Sequence, residues 1–518
     1  MRKKNQKILS LFIIFALIAP SSFVFSKNQP IQDIKNILTN EDKYEKVKQY
    51  LEKSLKDAGV AGYSYSIFTN KKIIQEKYYG VSDNRKDKIN RDTVFSIASL
   101  SKSFTALSIM QLYERGKLDI KDPLIKYIPE ISFNNDDRVK SITILNLLNQ
   151  TSGISSIDGL KISKQNITKE NILAATNNAN LNNKPGDVFE YSDLNYFILG
   201  YIIEKSSGMS YDQYVEKNII KNFDLKNTFT NESLISKKDT KTSGFQQIFG
   251  FIFKNTSEYN IGGLPDSGLI SNTNDLSKYY MLYLNNGYYN NREILPKSDF
   301  NLMLDTPILD NGKSEYGMGW NVQYKYGKKI LSHSGDMTDS HSSVFLIPDE
   351  NIGFVILVNT NSIFQSMNIE SIVDGIQKII IKDEAPDQQN YLLLLFYAVI
   401  SVMFIVIIIE IIQLFKIKKF ILSLKNNLFS RKYIFFKVIL PFIFDISFVL
   451  FFIIIYNQYV FDALINIQLD IVILFIILIL IPIILSIIKF IIGMIIIFGK
   501  SKNKITLENI KDKIKIFD

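Results

Sequence analysis

The stretch FSIASLSKSFTALSIMQLYERGKLDIKDP, residues 95–123, carries the pattern on which both fold and chemistry turn. Within it Ser99-Leu100-Ser101-Lys102 has the form S-x-x-K, a spacing of one helical turn that brings a lysine amine beside a serine hydroxyl. The lysine can then accept the serine proton. A strand-like start, a run of helix formers and a stop at Gly116 predict a helix from Ser99 to about Arg115. Its first-turn amides and dipole would favour a developing oxyanion at Ser99. The same spacing occurs at Ser486/Lys489 and Ser501/Lys504, but the first falls in a long apolar segment and the second in a basic tail. Taken alone, such a match reads as an ordinary helix cap.

Working outward, residues 42–57 (DKYEKVKQYLEKSLKD) read as an amphipathic helix, and AGYSYSIFTN with KKIIQEKYYG as two strands of a hairpin turning near Asn70. Residues 120–310 mix short helices with Asn- and Gly-rich loops. Strand patterns return in GMGWNVQYKY, KKILSHSG, SSVFLIP and IGFVILVNT, and a last helix is expected from about Ser362 to Ile381. Strands at both ends with helices between them predict an α+β domain whose terminal segments share one mainly antiparallel sheet.

Six further segments place the S-x-x-K match in a context. LNLLNQTSGI (145–154), KPGDVFEYSDLNYFILGYIIE (184–204), GLISNTNDLSKYY (268–280), YGMGWNV (316–322), LSHSGDM (331–337) and IPDENIGFVILVNT (347–360) follow it in order. Together with residues 95–123 they resemble the class C β-lactamase and penicillin-binding serine hydrolases, a group that includes D-alanyl-D-alanine carboxypeptidases and related esterases. The resemblance implies a β-lactamase-like fold, with a mainly antiparallel sheet flanked by helices and a helical subdomain. It implies Ser99 as the acylated nucleophile, Lys102 as its base or proton shuttle and Tyr191 as the second proton-transfer group. His333-Ser334-Gly335 would take the place of the strand that meets the substrate, and the backbone N–H groups of Ser99 and Asp336 would form the oxyanion hole. Acyl transfer needs these parts: an activated hydroxyl, a proton relay and two fixed donors. The pattern departs from the family at Asp193, where an amide is usual. A carboxylate there should stabilise protonated Lys102 and weaken it as a base, which shifts the expectation towards esters or slow turnover. Without the family context Tyr191 reads as a core tyrosine and His333 as a strand-edge histidine; His341 and Trp320 read as packing residues.

Composition narrows the alternatives. The chain has 518 residues, no cysteine and two histidines, which excludes disulfide scaffolds, cysteine nucleophiles and multi-histidine metal sites. No metal or organic cofactor is expected. The net charge is +9, of which residues 1–26 carry +4 and residues 386–518 carry +6, leaving residues 27–385 at −1. The interspersed, balanced central segment lacks the one-signed footprint of a nucleic-acid binder.

MRKKNQK followed by ILSLFIIFALIAP fits a secretory signal ending near residue 26, or an uncleaved N-terminal anchor. Apolar segments 391–415, 434–456 and 471–498 are each long enough to cross a bilayer. The loop 416–433 holds six basic residues and no acidic one, whereas 457–470 holds Asp462 and Asp470 and no basic one. By the positive-inside rule the first loop and the lysine-rich tail are cytoplasmic, so residues 27–385 face outward. Glu410 is expected to meet Lys489 or Lys437 at a shared depth, and Asp445 to lie mid-span.

The expectation is therefore a signal peptide (1–26), an extracytoplasmic serine hydrolase domain (27–385) and a three-helix membrane region (386–518). Its partners are the lipid bilayer and a cell-envelope acyl substrate or β-lactam. The alternative is an acylatable, poorly hydrolysing penicillin-binding sensor or resistance protein that signals through its membrane helices.

Overall fold

The computed structural model describes residues 40–83, 87–162, 168–231, 241–255, 263–305, 308–310, 314–384, 386, 391–426, 431–443, 446–447 and 468–514. The expected signal segment, and the second apolar segment beyond 443 with Asp445, lie outside these residues, apart from 446–447. The chain divides into two units, residues 1–389 and 390–518.

The first unit is built on a nine-stranded antiparallel sheet. Its strands are β1 (Gly62–Phe68), β2 (Ile73–Asp83), β3 (Asp87–Lys88), β6 (Ile308–Asp310), β7 (Ser314–Gly317), β8 (Trp320–Lys325), β9 (Lys328–Asp336), β10 (His341–Ile347) and β11 (Ile352–Val358). Its order is β6-β7-β8-β9-β10-β11-β1-β2-β3, so the N-terminal hairpin docks against the last long strand. Tyr63 pairs with Val358 and Phe68 with Gly353. A small second sheet joins β4 (Phe245–Ile248), β5 (Phe251–Lys254) and β12 (Thr360–Asn361).

Strand alternation divides the interior into two cores. On one face Tyr65, Ile67, Phe345, Phe354 and Ile356 pack under helices α1 (Asn40–Ala58) and α5 (Ile363–Lys382). On the other, Val344, Leu346, Val355 and Leu357 join α2 (Ser101–Glu114), α3 (Asp193–Ser207) and α4 (Thr273–Leu284) in the larger core. Strands β10 and β11 are thus buried on both sides, which is why IGFVILV reads as a continuous apolar run. Small polar residues fit where α4 approaches closely: Ser64 bonds Thr273 at 2.6 Å, and Ser277 donates to Ser66 at 2.9 Å.

Two local expectations change. GMGWNVQYKY is not one strand, because Met318 (φ 45°) and Gly319 (φ 88°) both adopt left-handed conformations and turn β7 into β8. Two successive positive φ values are the signature of a tight hairpin. A Cβ at Gly319 would come within 3.1 Å of the Ser103 backbone, so the turn also lets the hairpin press on α2. The expected helix from Ser99 instead begins as a 3₁₀ turn, Ala98–Leu100, and becomes α-helical at Ser101.

In the second unit, α6 (Tyr391–Phe415) and α7 (Leu469–Ile514) are the long helices. Among the described residues one helix, over Leu469–Ile495, is long and apolar enough to cross a membrane, rather than three. The third apolar segment does not end its helix near 498, because α7 continues through the polar LENIKDKI sequence. Lys489 reaches α6, where its amine donates to Gln413 at 3.0 Å, one turn beyond Glu410.

Candidate active site

The nucleophile turn is shaped by its backbone. Ala98 has φ 47°, an uncommon conformation for a residue with a Cβ, and it lifts Ser99 ahead of the first full turn of α2. Strand β9 closes on this turn. A Cβ on Gly335 would sit 2.8 Å from the Ser99 amide nitrogen and 2.8 Å from the Ile97 carbonyl, so only glycine lets the strand backbone approach. Ser342 Oγ, on the neighbouring strand, donates to the same Ile97 carbonyl at 2.8 Å and ties β10 to the turn. The structure thus brings the Gly335 backbone against Ser99, one residue before the Asp336 amide expected to complete an oxyanion hole.

Lys102, one turn after Ser99, is fully buried. Its amine donates to Ser99 Oγ at 3.0 Å, to Asp193 Oδ1 at 2.7 Å and to the Asp266 carbonyl at 3.0 Å. Three acceptors match the three protons of an ammonium group. The ring of Tyr191 lies 4.9 Å from the same nitrogen, within cation–π range. Tyr191 donates its hydroxyl proton to Ser99 Oγ at 2.9 Å. Burial, with the Asp193 carboxylate beside it, pushes the phenol well above its usual pKa, so Tyr191 is a neutral donor.

The Tyr191-Ser192-Asp193 segment owes its position to the LNQTSG loop. Gln150, itself left-handed at φ 57°, accepts from the Ser192 N–H through Oε1 and from the Glu190 N–H through its carbonyl. Its Oε1 also accepts from Asn195 Nδ2, and Ser152 donates to Asn195 Oδ1 at 2.6 Å. Asp193 then opens α3, where an acidic side chain suits the helix dipole.

His333 lies in the wall of the site, without a direct hydrogen bond to Ser99. Its Nδ1 meets the Ser334 carbonyl at 2.6 Å and its Nε2 meets the Tyr316 hydroxyl at 3.2 Å. Burial, reinforced by the nearby Lys102 charge, lowers its pKa to about 4. The ring is therefore neutral at pH 7, with Nδ1–H donating to the carbonyl and Nε2 accepting from Tyr316. Ser334 is half-buried between His333 and Gly335. The Asp336 side chain is directed to His341 Nδ1 (2.8 Å) and Asn361 Nδ2 (2.9 Å). His341, expected to be a packing residue, is buried between Asp336 and Glu370, the latter 3.0 Å from Nε2. Trp320 packs against Tyr280 and Tyr283, as expected.

Two residues of the site were not singled out in the sequence. Tyr316 links His333 to Tyr191, with ring centroids 5.8 and 6.1 Å away. It stands at the head of YGMGWNV, where only the motif as a whole was visible. Asp266, in LPDSGL, supplies the third acceptor of Lys102 and has no local pattern to mark it.

Comparison with known proteins agrees with this geometry. The family model described as Beta-lactamase matches residues 47–372. Protein flp of Staphylococcus aureus (strain MW2) is 31% identical over 331 residues, covering 63% of this chain and 64% of its own. This chain therefore spans less than two thirds of that relative. Among solved structures, an octameric penicillin-binding protein homologue from Pyrococcus abyssi superposes with a TM-score of 0.56 at 26% identity, covering 64% of this chain and 77% of its own. A D-stereospecific amidohydrolase from Streptomyces sp. shares the fold, with a TM-score of 0.54 at 22% identity over 65% of this chain and 98% of its own. With the family match extending over more than half of its length, and with Ser99, Lys102 and Tyr191 in mutual contact, this chain belongs to the beta-lactamase family of serine hydrolases.

Proposed function

We propose that the chain is a membrane-anchored, extracytoplasmic serine hydrolase that acts on cell-envelope acyl substrates through an acyl-Ser99 intermediate. The observation that carries this reading is the pair of contacts on Ser99 Oγ, from Lys102 at 3.0 Å and Tyr191 at 2.9 Å. Lys102 can take the Ser99 proton once it has given up one of its own, and Asp193 Oδ1, 2.7 Å away, is placed to receive it. As the Oγ–C bond forms, the carbonyl oxygen takes up negative charge between the Ser99 and Asp336 amides. As the bond to the leaving group breaks, the Ser99 proton passes to that group through Lys102 and Tyr191. Water then repeats the sequence in reverse, releasing the acid and restoring the serine hydroxyl.

Neutral His333 offers no cation to a substrate carboxylate, and Asp193, with 18% of its side chain exposed, places negative charge in the site. Both features favour esters or amides without a carboxylate at the β9 strand over penicillins. Acylation rates with a D-alanyl ester, a fluorophosphonate and a fluorescent penicillin test this ranking. Faster labelling by the penicillin than by the ester would reverse it.

The filled shell of Lys102 also supports a second reading, in which deacylation is slow and the chain serves as a penicillin-binding sensor. An adduct that persists for hours in intact-mass spectra distinguishes it from turnover. The cationic, apolar N-terminus and the apolar helix Leu469–Ile495 support export and anchoring, and the lysine-rich tail supports a cytoplasmic C-terminus with the hydrolase outside. Protease accessibility of the ectodomain on intact cells, with the tail protected, tests that topology.

A further inference from the structure

Asp266 is a fully buried carboxyl group that the acyl-transfer scheme leaves without a role. Its Oδ1 accepts from the Gly263 N–H at 2.9 Å, its Oδ2 from the Ser267 hydroxyl at 2.8 Å, and its carbonyl from Lys102 at 3.0 Å. The surrounding segment is stitched to the start of α2. Thr105 donates to the Pro265 carbonyl at 2.6 Å, and the Leu269 N–H donates to Ser101 Oγ at 3.2 Å. Residue 266 therefore presents a carbonyl to the lysine while holding an ionisable group in the same closed loop.

We propose that Asp266 is a positioning residue for Lys102: its carbonyl fixes the amine against Ser99, and its carboxyl sets the charge against which that amine must release a proton. The groups that face it are Lys102 from α2, Asp193 at the start of α3, the preceding Tyr191, and Tyr211. Both tyrosines stay neutral, since burial raises their pKa values. Burial, then the Asp193 carboxylate, push Asp266 up to about 7, while Lys102 pulls in the opposite direction. Asp266 is accordingly protonated below neutral pH and ionised above it. Once it ionises, two carboxylates hold one ammonium, and the lysine gives up a proton less readily. The device restrains acylation as the pH rises through 7. It rests on the reading of Ser99 as nucleophile and Lys102 as its proton acceptor.

The test uses the full chain in detergent, with fluorophosphonate acylation rates measured from pH 5 to 9. Asp266→Asn keeps an acceptor for Gly263 and a hydrogen-bond partner for Ser267. The ratio of its acylation rate to wild type should grow by about threefold or more between pH 6 and pH 8, with the initial binding constant unchanged. Ser267→Ala, which removes one bond to the ionised carboxylate, should move the wild-type inflection to higher pH. A flat ratio for Asp266→Asn, or for a poorly folded Asp266→Asn an unmoved inflection in Ser267→Ala, overturns the assignment. Ser99→Ala separates the two levels: if it is still labelled, the reading of the site fails, whereas labelling confined to Ser99 with a flat ratio removes only the role of Asp266.

Discussion

Replacing Gly335 with alanine puts the contact between β9 and the nucleophile turn under direct strain. The added Cβ would lie 2.6 Å from Ser342 Oγ, 2.8 Å from the Ile97 carbonyl and 2.8 Å from the Ser99 nitrogen. Ordinary carbon contacts begin near 3.5 Å, so each overlap is roughly 0.7 to 0.9 Å. Ser342 can rotate, but the other two atoms are backbone on the turn that carries the nucleophile. Either the strand or the turn must shift by several tenths of an ångström. Overpacking of this kind costs about 1–3 kcal/mol, and a displacement approaching 1 Å at a catalytic centre costs about 10²-fold in rate. Gly335→Ala is therefore expected to lower the thermal midpoint by several degrees and to slow fluorophosphonate acylation about 100-fold. Both are measured on the same preparation, by fluorimetry and by stopped-time labelling. Wild-type acylation in a variant that folds normally would show that β9 does not form the acyl site.

Lys102→Ala and Tyr191→Phe should each slow acylation by about 10²-fold or more, the usual effect of losing a general acid or base; near-normal rates in both would require another proton path. His341, whose pKa the Asp336 and Glu370 carboxylates raise to about 10 against the cost of burial, is a cation when folded. Its folded pKa lies above the unfolded value, so its stabilisation is complete below about pH 6.5 and fades as the pH rises towards 10. Denaturation midpoints measured from pH 6 to 10 should fall in wild type and fall less in His341→Gln, and parallel curves would refute the ion-paired state.

The sheet was legible because its strands alternate or run apolar without a break, and because the segments at the two ends of the first unit's described fold, 62–88 and 308–358, share that character. The Ser99–Lys102 pair was legible for a local reason, one helical turn. Tyr191 and the His333-Ser334-Gly335 strand could be named only through motifs in a fixed order, since 92 residues separate Tyr191 from Ser99. Asp193 was expected to meet Lys102 and does so. What sequence could not convey was closure over distance. Asp266 reaches Lys102 across 164 positions, and only the folded loop buries its carboxyl. The Met318-Gly319 turn was hidden because tight hairpins favour Asn-Gly or Asp-Gly, and methionine at a positive φ gives no such signal. His341 was read as packing because its two carboxylates come from a strand end and from α5.

The central claim is that Ser99 is the residue acylated, and peptide mapping of the labelled full-length chain tests it most directly. After reaction with a fluorophosphonate and, separately, with a D-alanyl ester trapped by rapid acid quench, the adduct mass should reside on the peptide containing Ser99-Leu100-Ser101-Lys102. It should be absent from Ser99→Ala. An adduct on another serine, or equal labelling of Ser99→Ala, would contradict the account.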